Sequence, residues 1–427
     1  MIIAFDDTDS RNTGMCTTYL GALLFEELQQ YGKITNEPLL IRLNPTIPYK
    51  TRGNAAVALQ IETERPEEVI SHVIERVEDF AQFQDENTNP GVVFIHAGQV
   101  ESCREELANF FLETVRQVIT IDRAKEIISR NKLEARGYKN GRGLIGALAA
   151  SGAALAEKWD YTYELLAYRQ PENWGTLRRV DDESVWKADN ATYPETWDNV
   201  DMSNNLVVCV PHSVDPVLYG IRGKNKAAIR ETADTIEGEN TERTLLYRTN
   251  QGTDMHLIPA SFIEDLQDLH SYTIQLKVTS IPHTIEGGHT FFQSTDERGN
   301  TIDCAAFEPT KNFRELVRKL IPEDIVVLSG SVKEGTFNIE KLEIKKLETK
   351  SELVNPTCSS CGKKMKSAGK NQGYRCRNCK TTASELEMVE IPRELEIGIY
   401  EVPPCARRHL SMPLIRRDKD GYIHPSR

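Results

Sequence analysis

Four of the nine cysteines fall in two pairs, Cys358-x-x-Cys361 and Cys376-x-x-Cys379, with fourteen residues between the pairs. This spacing dictates a small module closed around a metal: each C-x-x-C turn offers two thiolates, and zinc takes four soft ligands in a tetrahedron. Redox chemistry would need only one pair. Four thiolates leave no open coordination position, so Cys358, Cys361, Cys376 and Cys379 are expected to hold a structural Zn2+. The other five cysteines, at 16, 103, 209, 304 and 405, are scattered and read as small buried hydrophobes.

The same segment is basic. Lys363, Lys364, Lys366, Lys370, Arg375, Arg377 and Lys380 lie on or between the knuckles, with Tyr374 among them and no acidic residue between 363 and 380. Cations and an aromatic ring on metal-fixed loops suit a phosphate backbone and a stacked base, so these seven are candidate RNA contacts; the alternative is a solvated basic face. Arg407 and Arg408, in a tail that also carries Arg416, Arg417 and Lys419, join them as candidates. The net charge of −12 over 427 residues excludes whole-surface affinity for nucleic acid and leaves a local polyanion site at one end. The longest apolar stretch, 144–156, is too short and too rich in small residues to span a bilayer, and Asp6 interrupts the apolar start. With no disulfide framework, a cytoplasmic protein without a membrane partner is expected.

The chain is too long for one ordinary core and reads as a multidomain α+β protein. Residues 1–136 alternate strand, helix, two strands, helix and strand; residues 137–262 form a second α+β unit opening with "GYKNGRGLIGALAASGAAL". Within the first unit, residues 107–128 read as mostly helical. Residues 270–349 hold five strands with one helix, 312–320, between the third and fourth, which is the order of an OB-fold β-barrel. Phe291, Phe292 and Phe307 are possible stacking platforms there, although strand aromatics more often belong to the core. The zinc ribbon takes 354–390. The tail, 391–427, has too little apolar content for its own core.

Asp6, Asp7 and Asp9 crowd four residues at the end of an apolar strand. One carboxylate would cap the following helix; three repel one another unless a cation neutralises them. Mg2+ takes hard oxygen ligands and bridges one or two carboxylates to phosphates, and a helix N-terminus beside it favours an anion. The reading is a Mg2+–nucleotide site, with capping as the bland alternative. Lys50 and Arg52, on a loop closed by glycine, are candidate phosphate-binding cations. Gly141 and Gly143 precede a helix and offer backbone N–H groups to an oxyanion, although a tightly packed Gly/Ala helix explains them equally well. The glycine spacing matches neither a P-loop nor a dinucleotide fingerprint. Thr17 and Thr18 stand near the start of the first helix, where a hydroxyl either faces the metal or caps.

The stretches "FDDTDS", "GMCTTYL", "RLNPTIPYKTRGNAAVAL", "NTNPGVV", "GRGLIGALAA", "GTLRRVD", "PVLYGIRG" and "ARRHLSMPL" resemble the archaeal tRNA-Ile 2-agmatinylcytidine synthetases, the TiaS family, from the first strand to the tail. Ala55 after "TRGN" is a departure that touches no charged motif position. The resemblance implies a kinase-like domain, a ferredoxin-like domain, an OB fold and a zinc ribbon, in that order. It implies an ATP-dependent ligase that replaces the C2 oxygen of the wobble cytidine of a tRNA-Ile with CAU anticodon by agmatine, switching decoding from AUG to AUA. It places catalytic roles on Asp6, Asp7, Asp9 and Thr17, with ATP and Mg2+ as cofactors and agmatine as co-substrate; no DNA partner is implied. The dicationic agmatine calls for a carboxylate partner, for which Asp181, Asp182, Asp198 and Asp201 are available. Two other functions fit parts of the sequence: a non-catalytic OB and zinc-ribbon RNA-binding protein, and a small-molecule kinase with a regulatory RNA-binding half.

Overall fold

A computed structural model of the chain describes residues 1–51, 53–417 and 422–427. The first two segments build β1 (Ile2–Asp6), α1 (Thr17–Glu27), β2 (Leu39–Arg42), β3 (Ala55–Glu62), α2 (Pro66–Phe80), β4 (Gly91–Ile95), α3 (Val100–Arg116), α4 (Ile121–Arg130), β5 (Glu134–Gly137), α5 (Gly143–Leu155), β6 (Thr162–Arg169), α6 (Asp182–Thr192), β7 (Val217–Gly223), α7 (Lys226–Thr235) and β8 (Thr241–Thr249). The helical region expected over 107–128 is divided: the chain breaks it after Arg116 and restarts with Thr120, whose side chain accepts from Arg123 N.

β1 is apolar because both its faces are covered. Ile2 and Ala4 point into one core with Leu107 and Phe110 of α3 and Leu148 of α5, whereas Ile3 and Phe5 point into another with Leu20 and Leu24 of α1 and Val69 and Val73 of α2. The strand period of two sends alternate side chains to opposite helical layers. Helix α5 is built of glycine and alanine because it is wedged between that sheet and α3: a Cβ on Gly152 would stand 2.0 Å from Leu107 O. Although α5 follows the boundary near 136, its buried side faces the sheet of the first segment.

The strands of both segments join into one sheet among the described residues, in the order β5-β4-β1-β3-β2-β8-β6-β7, with Thr196–Trp197 beside β7 and Lys33–Ile34 beside β3. The junction is the parallel pairing of β2 with β8, Leu39 opposite Arg248 and Leu40 opposite Thr249. No local sequence signal announces this non-local pairing.

The third segment closes as its strand order requires. β9 (Ser271–Val278), β10 (Thr290–Thr295), β11 (Thr301–Ala306), β12 (Ile325–Lys333) and β13 (Thr336–Lys346) pair β9 with β10, β10 with β11, β11 with β13, β13 with β12 and β12 with β9. The ring is a five-stranded barrel, with α8 (Phe313–Val317) between β11 and β12 burying Phe313 and Val317 in its core. Phe292 is buried in that core, whereas Phe291 and Phe307 are partly exposed. A register shift at Ser329/Gly330 turns β12 around the barrel; a Cβ on Gly330 would meet Asn338 O at 2.0 Å.

A two-stranded ribbon, Lys350–Val354 with Glu387–Ile391, carries the cysteine module outward. The tail returns: Gly398–Glu401 pairs with β13, and Leu410 joins the core of the first segment. Gly252 N donates to His409 O and Thr253 N to Leu410 O. The tail thus shares other segments' cores, as its apolar content demands. No described helix is long and apolar enough to cross a membrane.

Candidate functional site

A cavity of about 380 Å³ opens where β1, β2, β6 and β7 end, and its wall draws on the first segment, the second and the tail. Asp6, Asp7 and Asp9 line it. Asp6 closes β1, and its Oδ1 accepts from Asp7 N at 2.7 Å. Asp7 takes φ +60°, a left-handed turn that Asp tolerates better than most side chains. Arg142, at the start of α5, donates to Asp7 Oδ2 from Nη2 at 3.1 Å and from Nε at 3.3 Å. Thr17 is buried in the first turn of α1, its Oγ1 3.0 Å from Thr8 Oγ1; Thr18 O accepts from Tyr247 OH at 2.6 Å. Burial and the neighbouring Asp7 push the Asp6 carboxyl well above the usual carboxylate range. Burial also raises that of Asp7, against the pull of Arg142 and with the push of Asp9, to about 7. Negative charge here is therefore costly without a cation, which fits a Mg2+ and phosphate site.

The donor set qualifies that fit. The four cysteine side chains converge with their sulfurs within 4.8 Å of one another, and no carboxylate group of three does so among the described residues. The aspartates are not a closed cage; they suit an ion that takes one or two carboxylates and completes its shell with phosphate and water.

Lys50 lines the same cavity, and its Nζ donates to Pro45 O. Burial, with Arg408 nearby, lowers its amine to about 8. Arg52 lies outside the described residues. Gly141 and Gly143 are corrected: Gly141 N donates to Tyr138 O at 2.8 Å and Gly143 N to Asn89 O at 2.9 Å, so neither N–H is offered to a phosphate. Of the glycines in α5, Gly146 is the one that lines the cavity, and a Cβ there would sit 1.9 Å from Asp6 Oδ2. Asp181, Asp198 and Asp201 are likewise engaged elsewhere, capping α6, pairing with Arg407, and accepting from Asn204; none of the four carboxylates considered for agmatine lines the cavity.

Four cavity residues received no role from the sequence, Arg42, Glu164, Arg222 and His409, although Arg42, Arg222 and His409 stand within stretches that carry the family resemblance. Glu164, in β6, is 2% exposed and pairs with Arg42 at 3.3 Å and Arg222 at 3.0 Å; Arg222 Nη2 also donates to His409 Nδ1 at 2.9 Å. Burial resists ionisation of Glu164, but the two guanidinium groups outweigh it and hold the carboxyl below its usual range. The available signal is a glutamate inside the apolar run "YTYELLAY", because a buried charge requires partners.

In the cysteine module, Cys361 Sγ and Cys376 Sγ are 3.7 Å apart. The edge of a tetrahedron of thiolates at 2.3 Å from zinc is about 3.8 Å, so the donor set fits Zn2+. Lys363, Lys364, Lys366, Lys370, Arg375, Arg377 and Lys380 are all exposed, Lys364 within 3.4 Å of Glu387. Arg408 is 33% exposed and pairs with Glu340. Arg407 is corrected: its side chain is 2% exposed, clasped by Asp198 and Glu401, and it locks the tail to the second segment instead of facing solvent.

The chain matches the family models described as TiaS TCKD domain over residues 2–140, TiaS FLD domain over 141–256 and TiaS C-terminal zinc ribbon domain over 355–395. It is 56% identical over 429 residues to the tRNA(Ile2) 2-agmatinylcytidine synthetase TiaS of Methanosarcina acetivorans, covering 100% of both chains. The protein of that name from Archaeoglobus fulgidus is 46% identical, with 98% of each covered. Among solved structures, the TiaS-tRNA(Ile2)-ATP complex superposes with a TM-score of 0.90 at 45% identity, over 100% of this chain and 99% of that one. The TiaS-tRNA(Ile2)-AMPCPP-agmatine complex does so with a TM-score of 0.88 at 42% identity, again over 100% and 99%. With full-length relatives above 40% identity and family models matched along most of its length, the chain belongs to the TiaS family.

Proposed function

We propose that this chain is an ATP-dependent ligase acting in the cytoplasm, which attaches agmatine to C2 of the wobble cytidine of an isoleucine tRNA with CAU anticodon. Membership of the TiaS family over the whole length carries this reading. The cavity supports it, because one enclosed space is lined both by aspartates suited to a metal-bound nucleotide and by an arginine–glutamate–histidine group able to meet a polar base. The family relatives solved with tRNA(Ile2), ATP and agmatine favour it over an RNA-binding protein without catalysis or a small-molecule kinase.

In this reading residues 1–136 are the kinase-like domain and 137–262 the ferredoxin-like domain. The OB barrel (270–349) and zinc ribbon (354–390) grip the tRNA, while the tail (391–427) ties the segments together through Arg407 and Leu410. A carbonyl oxygen on a pyrimidine leaves poorly, and phosphoryl transfer to it makes a better leaving group; such transfer needs positioning and charge neutralisation above all. Bound Mg2+ would neutralise the phosphates. Asp6, Asp7 and Asp9 would hold it, with Arg142 restraining Asp7. Lys50, and Arg52 beside it in sequence, would meet the phosphate oxygens. Thr17 would present its hydroxyl to the nucleotide from the start of α1. The target base must leave its stack to enter so enclosed a space. The exposed cations of the zinc ribbon would bind the tRNA backbone.

Incubation of the full chain with tRNA-Ile transcript, Mg-ATP and agmatine, followed by nuclease digestion and mass spectrometry, is expected to give an agmatine-bearing cytidine. Absence of that nucleoside while ATP and tRNA both bind would overturn the reading.

A further inference from the structure

The arginine–glutamate group ends in a histidine whose protonation can be deduced from geometry. Arg42, Glu164, Arg222 and His409 come from β2, β6, β7 and the tail, and all four line the cavity. Glu164 Oε2 faces Arg42 Nη2 at 3.3 Å, Glu164 Oε1 faces Arg222 Nε at 3.0 Å, and Arg222 Nη2 lies 2.9 Å from His409 Nδ1. A guanidinium only donates, so Nδ1 accepts, and a neutral ring then carries its one proton on Nε2. Burial lowers the His409 pKa well below its usual value, and Arg42, Arg222 and Lys50 lower it further. The Nε2 edge faces Gly53: a Cβ there would stand 3.0 Å from Nε2 and 2.4 Å from Arg42 Nη1. A side chain at position 53 would thus cover the donor edge that glycine leaves clear.

We propose that His409 is a catalytic residue acting as a fixed neutral hydrogen-bond donor, its Nε2–H bound to a phosphoryl oxygen on the activated C2 oxygen of the cytidine. This rests on the function proposed above. The ligand is an anion with acceptors only, and Arg42, Arg222 and Lys50 surround the position with positive charge. When agmatine attacks, its nitrogen bonds to C2, the C2–O bond breaks and its electron pair departs with the phosphate, which takes the proton lost by the amine. His409 neither gains nor loses a proton. It is no general base, because Nδ1 is capped by Arg222 and Nε2 already holds its hydrogen.

The test compares wild type, His409→Ala and His409→Gln as full-length proteins, in single-turnover product formation from pH 6 to 9. Thermal melts and ATP binding are run as controls. Glutamine keeps an N–H donor close to Nε2 and cannot titrate. Removal of one such donor costs about 100- to 1000-fold in rate. The expected result is a loss of that order for His409→Ala with little change in KM for tRNA, recovery to within about tenfold in His409→Gln, and pH profiles of one shape for wild type and His409→Gln. Two results would overturn the proposal: full activity in His409→Ala, or a folded His409→Gln that has lost at least about 100-fold. Should His409→Ala fail to fold, His409→Gln decides alone. A wild type that binds ATP and tRNA yet makes no product would instead sink the function proposed above.

Discussion

Arg142 clasps Asp7 with two donors to a single carboxylate oxygen, Oδ2, at 3.1 and 3.3 Å. It reaches the acid cluster from the start of α5, while Gly146, one turn further along, leaves room for Asp6. One helix therefore shapes two of the three aspartates, one by charge and the other by the absence of a side chain.

Asp7 carries a raised pKa of about 7, so its ionisation in the metal-free protein is unfavourable. An acid whose pKa rises on folding leaves stability intact below about pH 4 and erodes it as pH climbs towards 7. Asp7→Asn is expected to abolish product formation, to bind tRNA as wild type does, and in Mg2+-free buffer to melt above wild type at pH 8 but not at pH 4. Differential scanning calorimetry at the two pH values checks the second half.

Gly146→Ala forces a methyl group to within 1.9 Å of Asp6 Oδ2 unless the helix or the carboxylate moves. Overpacking of this kind costs about 1–3 kcal/mol. Denaturant titration is expected to show that loss, with product formation reduced further than stability alone explains because Asp6 is displaced.

Lys50 has its amine lowered to about 8 by burial, so it is cationic below that pH and neutral above it. Phosphate favours the charged form, which makes ATP affinity decline as pH rises through 8. In Lys50→Arg, where the charge persists, the decline should flatten; calorimetric titration from pH 7 to 9.5 measures both.

The zinc ribbon cations are exposed and the cavity lies in other segments. Lys363→Glu with Arg375→Glu is expected to weaken tRNA binding and to make its dependence on log[salt] shallower by about 0.7–0.9 for each phosphate that is no longer neutralised. ATP affinity should not change. Cys361→Ser should unfold the module and give the same separation of effects, read by filter binding.

Strands and helices with a clear period were legible in the sequence. Pro66–Phe80 is the second helix of the expected strand–helix order, and the five barrel strands follow from alternation and turn residues. The cysteine spacing was as readable, because a ligand set is local. The pairing of β2 with β8 was not, since neither the short apolar β2 nor the mostly polar β8 carries a mark of a partner some 200 residues away. Arg407 shows the same limit from the other side: a basic tail suggests solvent and polyanions, yet its partners Asp198 and Glu401 are set by how the chain folds back. Gly141 and Gly143 resembled an anion loop because glycine before a helix serves both uses, and only the carbonyls of Tyr138 and Asn89 decide between them.

The most direct measurement is calorimetric titration of a non-hydrolysable ATP analogue into the full-length protein with and without Mg2+. Saturable binding that needs Mg2+ and disappears in Asp7→Asn is the predicted result. Equal binding in wild type and Asp7→Asn, or no binding by a folded wild type, would contradict a metal–nucleotide role for the aspartates.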